Sequence, residues 1–337
     1  MEMSMFEMVR RFPDQLKEGL ELFKLSDVSS GEQAVLNIYI SGMGGSAVGA
    51  DFVEAIVRDV CNVPITVGKS YTVPHFISEN TLAIVSSYSG NTEETISSYH
   101  QLVQRGAKVV VISSGGELIR RAHELKQDII QLPSGWSSPR ACLSYSLVAQ
   151  LYALHKLNII DHFYVKQLIA SIKLMEDCRE EIIEQARQLA DLLQDKWVVI
   201  YSSDHFEPVC LRFRQQINEN SKMLCWHNVI PEMNHNELVG WRWNHPFVAS
   251  VFIRDREEYS RIQARMELTK EVVGHYAASV MDIYARGDSY LEKSLYLVHL
   301  LDFVSVFLAE KNQVDAVEVR VIDFLKTELS KLPQNQA

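Results

Sequence analysis

From Leu82 to Ser98 the chain reads Leu-Ala-Ile-Val-Ser-Ser-Tyr-Ser-Gly-Asn-Thr-Glu-Glu-Thr-Ile-Ser-Ser. An apolar run breaks into a hydroxyl-rich turn, and the turn opens directly into a helical pattern. An apolar run without alternation is a strand buried on both faces, as in a parallel sheet covered by helices. Thr92, Thr95, Glu93 and Glu94 suit the first turn of the helix that follows. Free backbone N–H groups, the positive end of the helix dipole and the hydroxyls of Ser87, Ser89 and Thr92 then converge on one spot. Such a spot suits an anion, most often a phosphate. N-capping is the plainer role for these hydroxyls, but a cap uses one, and four polar side chains surround Gly90.

The same strand-then-helix pattern recurs along the chain. Amphipathic helical material spans Met5 to Leu25, restarted at Pro13. Ala34 to Ile40 reads as a strand that breaks at Ser41-Gly42-Met43-Gly44-Gly45-Ser46 into a helix from Ala47 to about Val60. Further strands are expected at Pro64–Val67, Leu82–Ser86, Lys108–Ser113 and Asp128–Leu132, with helices at Thr92–Arg105 and Glu117–Leu125. A loop from Pro133 to Arg140 leads to a helix at Ala141–Leu157, and Phe163–Leu193 reads as long helical material. The theme then returns: strands at Trp197–Tyr201, Phe247–Ile253 and Ser279–Tyr284, and helices at Val209–Lys222, Glu257–Val273, Leu291–Lys311 and Ala316–Leu332. The expectation is an α/β protein made of two similar halves, 1–155 and 156–337, each a doubly wound parallel sheet flanked by helices.

A net charge of −10 disfavours a polyanionic partner such as nucleic acid, though local amides, hydroxyls and a few cations suffice for a small phosphorylated ligand. No segment approaches the roughly 18 apolar residues that span a bilayer, and the start carries charges rather than the apolar core of a signal peptide. Five scattered cysteines without a CxxC point to a reducing cytoplasm rather than a disulfide frame or a zinc site.

Candidate site residues each have a plainer role. The glycine turn at 42–47 matches a loose dinucleotide fingerprint, but the second strand ends Val67-Gly68-Lys69, without the acid that would hold a ribose. Its glycines could serve the turn alone, yet Ser46 stands at a helix start beside the Ser87–Ser89 loop. Arg140, in a Ser-Ser-Pro-Arg loop at the same sheet edge, could be an ordinary surface arginine. Glu219 lies on a polar face late in a helix, where a solvated glutamate is the common case. Asn234 can cap a short helix whose first turn carries His235, the side chain that passes protons near neutral pH. His227, Glu232, His235 and His245 fit no recurring zinc spacing, so no metal is expected. Lys311 ends an apolar helix, where a dipole partner is the simple reading.

The segments Ser-Gly-Met-Gly-Gly-Ser-Ala (41–47), Ser-Tyr-Ser-Gly-Asn-Thr-Glu-Glu-Thr (87–95) and Asn-His-Asn-Glu-Leu-Val-Gly-Trp (234–241) resemble those of the sugar isomerase (SIS) domain proteins. More narrowly, they resemble the bifunctional phosphoglucose/phosphomannose isomerases of archaea and bacteria, over nearly the whole chain. The Ser-x-Ser-Gly-x-Thr loop specifies only the superfamily; the Asn-His-Asn-Glu segment, with a glutamate sixteen residues before its histidine, is far more specific. The resemblance implies two SIS subdomains paired as a homodimer and a sugar-phosphate substrate, with no cofactor. It implies that Ser46, Ser87, Ser89 and Thr92 hold the sugar 6-phosphate, and that Gly44 and Gly45 let the backbone approach it. Glu219 would be the catalytic base, His235 (from the partner subunit) and Lys311 the ring-opening pair, and Arg140 the cation near the enediolate. Asp315-Ala316 departs from the Asp-Pro that relatives often show.

That chemistry closes without a metal. One carboxylate takes the C2 proton of an opened aldose phosphate, gives a cis-enediolate and returns the proton to C1. Ser305 is a candidate small lining residue for a pocket that accepts both C2 epimers. The rival expectations are a catalytically silent sugar-phosphate sensor and an amino-sugar phosphate isomerase or deaminase on the same fold.

Overall fold

A computed structural model describes residues 3–26, 28–29 and 34–332. The chain opens with two helices, α1 (Met5–Arg10) and α2 (Phe12–Leu22), the second carrying Pro13 in its first turn, where a missing N–H costs nothing. A first sheet follows: β1 (Asn37–Ser41), α3 (Gly44–Val57), β2 (Ile65–Gly68), β3 (Thr81–Ser86), α4 (Glu93–Gln104), β4 (Lys108–Ser113), α5 (Gly116–Glu124) and β5 (Asp128–Gln131). Helices α6 (Leu143–Lys156), α7 (Phe163–Asp177) and α8 (Arg179–Leu193) lead to the second sheet. That sheet is built by β6 (Trp197–Ser203), α9 (Glu207–Ser221), β7 (Cys225–Ile230), β8 (His245–Arg254), α10 (Ser260–Gly274) and β9 (Ala277–Tyr284). The long α11 (Tyr290–Lys311) and the short α12 (Arg320–Leu329) complete the chain.

All pairings in both sheets are parallel, in the orders β2-β1-β3-β4-β5 and β7-β6-β8-β9. Parallel strands need covered faces, and both sheets have them. One continuous apolar cluster fills the space between the sheets. It joins Ile38, Ile40, Leu82, Ile84, Val110 and Ile112 to Val198, Ile200, Val251 and Ile253 through α3, α6, α9 and α11. A smaller cluster seats α4 and α5 on the outer face of the first sheet, and another seats α10 on that of the second. The two halves expected from the recurring pattern are therefore two sheets sharing one helical middle layer. Each large apolar side chain buried there stabilises the fold by about 1.5–3 kcal/mol.

The elements differ from expectation in several places. The helix after the first glycine turn begins at Gly44 rather than Ala47, because Met43 takes the extended N-cap conformation. Phe163–Leu193 is two helices broken at Cys178. Strand β7 was not expected; it is an edge strand, and its polar and exposed positions mask the apolar signature. Residues 315–319 form a turn, so the last helix is shorter than the span Ala316–Leu332.

In each sheet the chain order reverses direction beside the first strand, between β1 and β3 and between β6 and β8. The crevice at such a switch point, outside the C-terminal strand ends, is where open α/β sheets take ligands.

Candidate active site

At the first switch point Ser41 pairs with Val85, so the loops after β1 and β3 leave the sheet side by side. The first loop delivers Gly44, Gly45 and Ser46 as the opening residues of α3; the amides of Gly44 and Gly45 have no partner within the helix, while that of Ser46 donates to Met43 O at 3.1 Å. Gly44 takes φ +51°, a left-handed conformation that a side chain would strain. The second loop delivers Ser87, Ser89 and Thr92 to the start of α4. Thr92 occupies the N-cap, yet its hydroxyl makes no capping bond; it shares a hydrogen bond of 2.9 Å with Ser87 instead. The first-turn amides of α4 therefore stay open, and the hydroxyls are arranged around them. Gly90 is obligatory for this loop: it has φ +68°, and an added Cβ would stand 1.9 Å from the carbonyl oxygen of Gly115. Tyr88 fastens the loop from behind, its hydroxyl donating to Pro133 O at 3.0 Å and accepting from the amide of Trp136 at 3.2 Å.

Arg140 adjoins this cradle. A Cβ at Gly45 would lie 3.6 Å from its Cα, an ordinary contact, so the first turn of α3 and the Arg140 backbone are neighbours. The arginine is not a surface residue; only 7% of it is exposed. Its Nε donates to Asn220 Oδ1 at 2.8 Å, and its Nη2 donates to Val317 O at 3.1 Å and to Ala316 O. Its Nη1 faces Glu219 Oε2 at 3.7 Å. Burial draws the Arg140 pKa below its ordinary value, opposed by the charges of Glu219, Asp315 and Glu318. Glu219, at the end of α9, keeps a partly exposed carboxylate beside a cation whose other nitrogens belong to the fold.

Lys222 belongs to the same group and carried no signal beyond a lysine at a helix end. It closes α9 in a left-handed conformation, its ammonium donating to Glu219 O at 2.6 Å and to Glu318 O at 2.7 Å. Burial lowers its pKa. Ser305 does not line an open pocket: it is fully buried between α9 and α11, its hydroxyl donating to Asp302 O at 2.6 Å. Lys311 stands one residue before Asn312, whose amide donates to Ser221 O at 2.9 Å, but its own ammonium is paired with Asp191 of α8. The structure thus brings Arg140 and Glu219 together and pairs the Lys311 ammonium with Asp191.

His235 is apart as well. It ends a single turn (Glu232–His235) beyond the C-terminal end of β7, the sheet edge from which α9 sets out through Glu207. Glu219 sits near the other end of that 15-residue helix, ~20 Å away along its axis. The motif around His235 is spent on holding the turn. Asn234 donates to Thr269 Oγ1 at 2.8 Å instead of capping, and Asn236 accepts from the Glu237 amide at 2.6 Å. Glu237 receives Asn228 Nδ2 at 2.7 Å and the Tyr201 hydroxyl, which also accepts from Trp241 Nε1 at 3.0 Å. His235 itself is exposed. Among the described residues no three His, Cys, Asp or Glu side chains are placed to hold a metal ion.

The second switch point carries different chemistry. Its loops hold Asp204, Asp255 and Glu257 in place of glycines and hydroxyls, and Lys293, 7% exposed, pairs with Asp255 at 2.9 Å and Glu257 at 2.5 Å. Among the described residues, the strand-end loops that gather glycines, hydroxyls and open helix-start amides are those of the first sheet.

Comparison with known proteins agrees with this layout. Residues 33–157 match the SIS domain, and residues 182–329 match the bacterial phospho-glucose isomerase C-terminal SIS domain. The bifunctional phosphoglucose/phosphomannose isomerase of Caldicellulosiruptor bescii is 36% identical, over 97% of this chain and 99% of its own. That of Aquifex aeolicus is 34% identical, over 92% and 95%. The C-terminal domain of glucosamine-fructose-6-phosphate aminotransferase from Francisella tularensis shares the fold with a TM-score of 0.71 at 13% identity, over 93% of this chain and 97% of that one. With two SIS sheets, a hydroxyl cradle on the first and near-complete coverage by relatives above 30% identity, the chain belongs to the bifunctional phosphoglucose/phosphomannose isomerase family.

Proposed function

We propose that this chain is an aldose–ketose isomerase that interconverts glucose 6-phosphate and mannose 6-phosphate with fructose 6-phosphate through a cis-enediolate, without a metal. The observation that carries the reading is the placing of Arg140 Nη1 against Glu219 directly beside the first turn of α3. The 6-phosphate docks on the amides of Gly44 and Gly45 and the hydroxyls of Ser46, Ser87, Ser89 and Thr92, at two helix N-termini. Anchoring remote from the reacting carbons supplies orientation. Glu219 takes the C2 proton and returns it to C1, one base serving both carbons. The N–H groups of Arg140 Nη1 face the oxygen on which charge develops.

The reading extends to a homodimer. His235 is exposed and lies a helix length from Glu219 of its own chain. Val239 and Trp243 near it are 63% and 78% exposed, and α12 buries none of its residues while showing Val321 and Phe324 to solvent. A second copy would cover such surface and let the partner subunit's His235 assist ring opening at Glu219. The five cysteines are all unpaired, which suits a reducing cytoplasm. Sugar-phosphate anchoring is given to the 1–155 half and the base to the 156–337 half.

The test is turnover of purified protein with a chelator present, on glucose 6-phosphate and on mannose 6-phosphate, scoring fructose 6-phosphate. Comparable rates on both support the full reading, and activity on one alone narrows the substrate. Tight binding without product in either case would make the protein a sugar-phosphate sensor and defeat the assignment of Glu219 as base.

A further inference from the structure

A buried polar seam runs between α9 and α11 and ends on Arg140. Asp302 on α11 accepts Arg212 through both carboxylate oxygens, at 3.1 and 2.7 Å. Its main-chain oxygen accepts the Ser305 hydroxyl at 2.6 Å, and Ser305 Oγ in turn accepts Asn220 Nδ2 at 2.9 Å. Asn220 Oδ1 then accepts Arg140 Nε at 2.8 Å. Asn220 and Ser305 are fully buried, and Arg212 and Asp302 nearly so. Apolar residues of similar volume would hold two helices together at least as well as buried ionic and amide groups do. The seam therefore needs a reason other than stability.

Its hydrogen-bond directions supply one. The single proton of Ser305 is committed to a carbonyl, which can only accept, so Ser305 presents a lone pair to Asn220. That choice fixes the amide: nitrogen toward Ser305, oxygen toward Arg140. The fixed oxygen holds Nε, the carbonyls of Ala316 and Val317 hold Nη2, and both N–H groups of Nη1 are left for the cleft and Glu219. We propose that Asn220 and Ser305 are positioning residues for the reaction, acting through Arg140 by setting the rotation of its guanidinium. The inference rests on the assignment of Arg140 and Glu219 to the isomerisation.

Thr and Val have nearly the same shape and differ in the hydroxyl, and threonine in a helix can still donate to a carbonyl one turn back. Ser305→Thr and Ser305→Val therefore impose the same crowding on the seam, and only the first can keep the relay. The expected result is a kcat for Ser305→Val at least ~10-fold below that of Ser305→Thr, approaching ~10²-fold below wild type, with KM for glucose 6-phosphate unchanged in both. Arg140→Ala is measured beside them. If Arg140→Ala loses turnover while the Thr and Val variants are equal, the positioning role is wrong and the assignment of Arg140 stands. If Arg140→Ala keeps wild-type turnover, that assignment falls and takes the positioning role with it. Should both Ser305 variants fail to fold, Asn220→Leu, close in volume, is read instead. A kcat loss with unchanged KM supports the relay, and wild-type kcat overturns it.

Discussion

Arg140 and Glu219 approach through one pair of atoms, Nη1 and Oε2, at 3.7 Å. Arg212 and Asp302, two turns deeper in the same helix pair, meet through two bonds at 2.7 and 3.1 Å and are almost wholly buried. The difference suits a structural role for Arg212 and Asp302 and the reactive role proposed for Arg140 and Glu219. A bidentate clamp occupies the lone pairs of its carboxylate and holds it ionised. The looser contact leaves both oxygens of Glu219 free to take a proton and leaves Nη1 free to meet an oxyanion. The Glu219 side chain is also 29% exposed, as the proposed base must be.

Replacing the fork by a point charge should be costly in rate and mild in binding. Arg140→Lys keeps the cation but cannot bond Asn220, Ala316 and Val317 while also facing Glu219. The expected outcome is a fall in kcat of about 10²–10³-fold, the range for losing one preorganised donor to a developing oxyanion. KM for glucose 6-phosphate should change little, because the proposed phosphate site lies elsewhere. Steady-state kinetics on both aldose phosphates checks this.

Thr92 offers a cleaner separation of binding from stability. A threonine that caps its helix costs about 1 kcal/mol when removed. Here the hydroxyl bonds to Ser87 and not to the amides of α4. Thr92→Val should therefore leave the melting temperature nearly unchanged while raising KM by roughly tenfold or more, the worth of a hydrogen bond to a charged group. A melting temperature that drops with KM unmoved would return Thr92 to an ordinary cap.

The strand, hydroxyl turn and helix start proposed to hold the phosphate were legible because they are local, lying within residues 82–98, and one parallel pairing brings in Ser46. The rest of the site was legible only in part, because it is made by contacts between distant elements. The stretch from Gln215 to Lys222 reads as a polar, solvated face, yet Gln216, Asn220 and Ser221 are buried against α11. Helical periodicity gives the direction of a side chain but does not say what lies in that direction. Lys311 shows the converse, an end-of-helix lysine whose partner, Asp191, sits on a helix more than a hundred residues earlier. Strand β7 was hidden by His227 and Asn228, polar residues that an edge strand tolerates and a central strand does not.

His299 should make the fold sensitive to acid. It is entirely buried in α11 beside the rings of Phe12 and Phe303, and among the described residues neither ring nitrogen has a hydrogen-bond partner. Burial, with a smaller contribution from Arg179, lowers its pKa to about 3 from 6.5. Below the unfolded value the unfolded chain binds a proton that the folded chain refuses. The stabilisation from keeping His299 neutral is therefore complete above about pH 6.5 and is lost as the pH falls towards 3. Fully developed, the loss is roughly 4–5 kcal/mol. Denaturant melts from pH 7 to pH 4 should show stability falling, and His299→Phe should flatten that slope. An unchanged slope in the variant would assign the acid sensitivity to other groups.

The placing of His235 leads to a test that needs no structure of a dimer. If each site pairs Glu219 of one chain with the partner subunit's His235, then Glu219→Gln and His235→Ala homodimers are both impaired for different reasons. In a mixed dimer, one site joins the two damaged residues and the other joins the two intact ones. Random exchange makes half the dimers mixed, each with one sound site of two, so activity should recover to about a quarter of wild type in a closed two-fold assembly. Mixing must be preceded by dissociation and re-association, and a gel-filtration profile run in parallel confirms that chains have exchanged. Exchange without recovery would mean that His235 serves its own chain or no site at all. The ~20 Å of α9 between Glu219 and the sheet edge of His235 argues against the first of these.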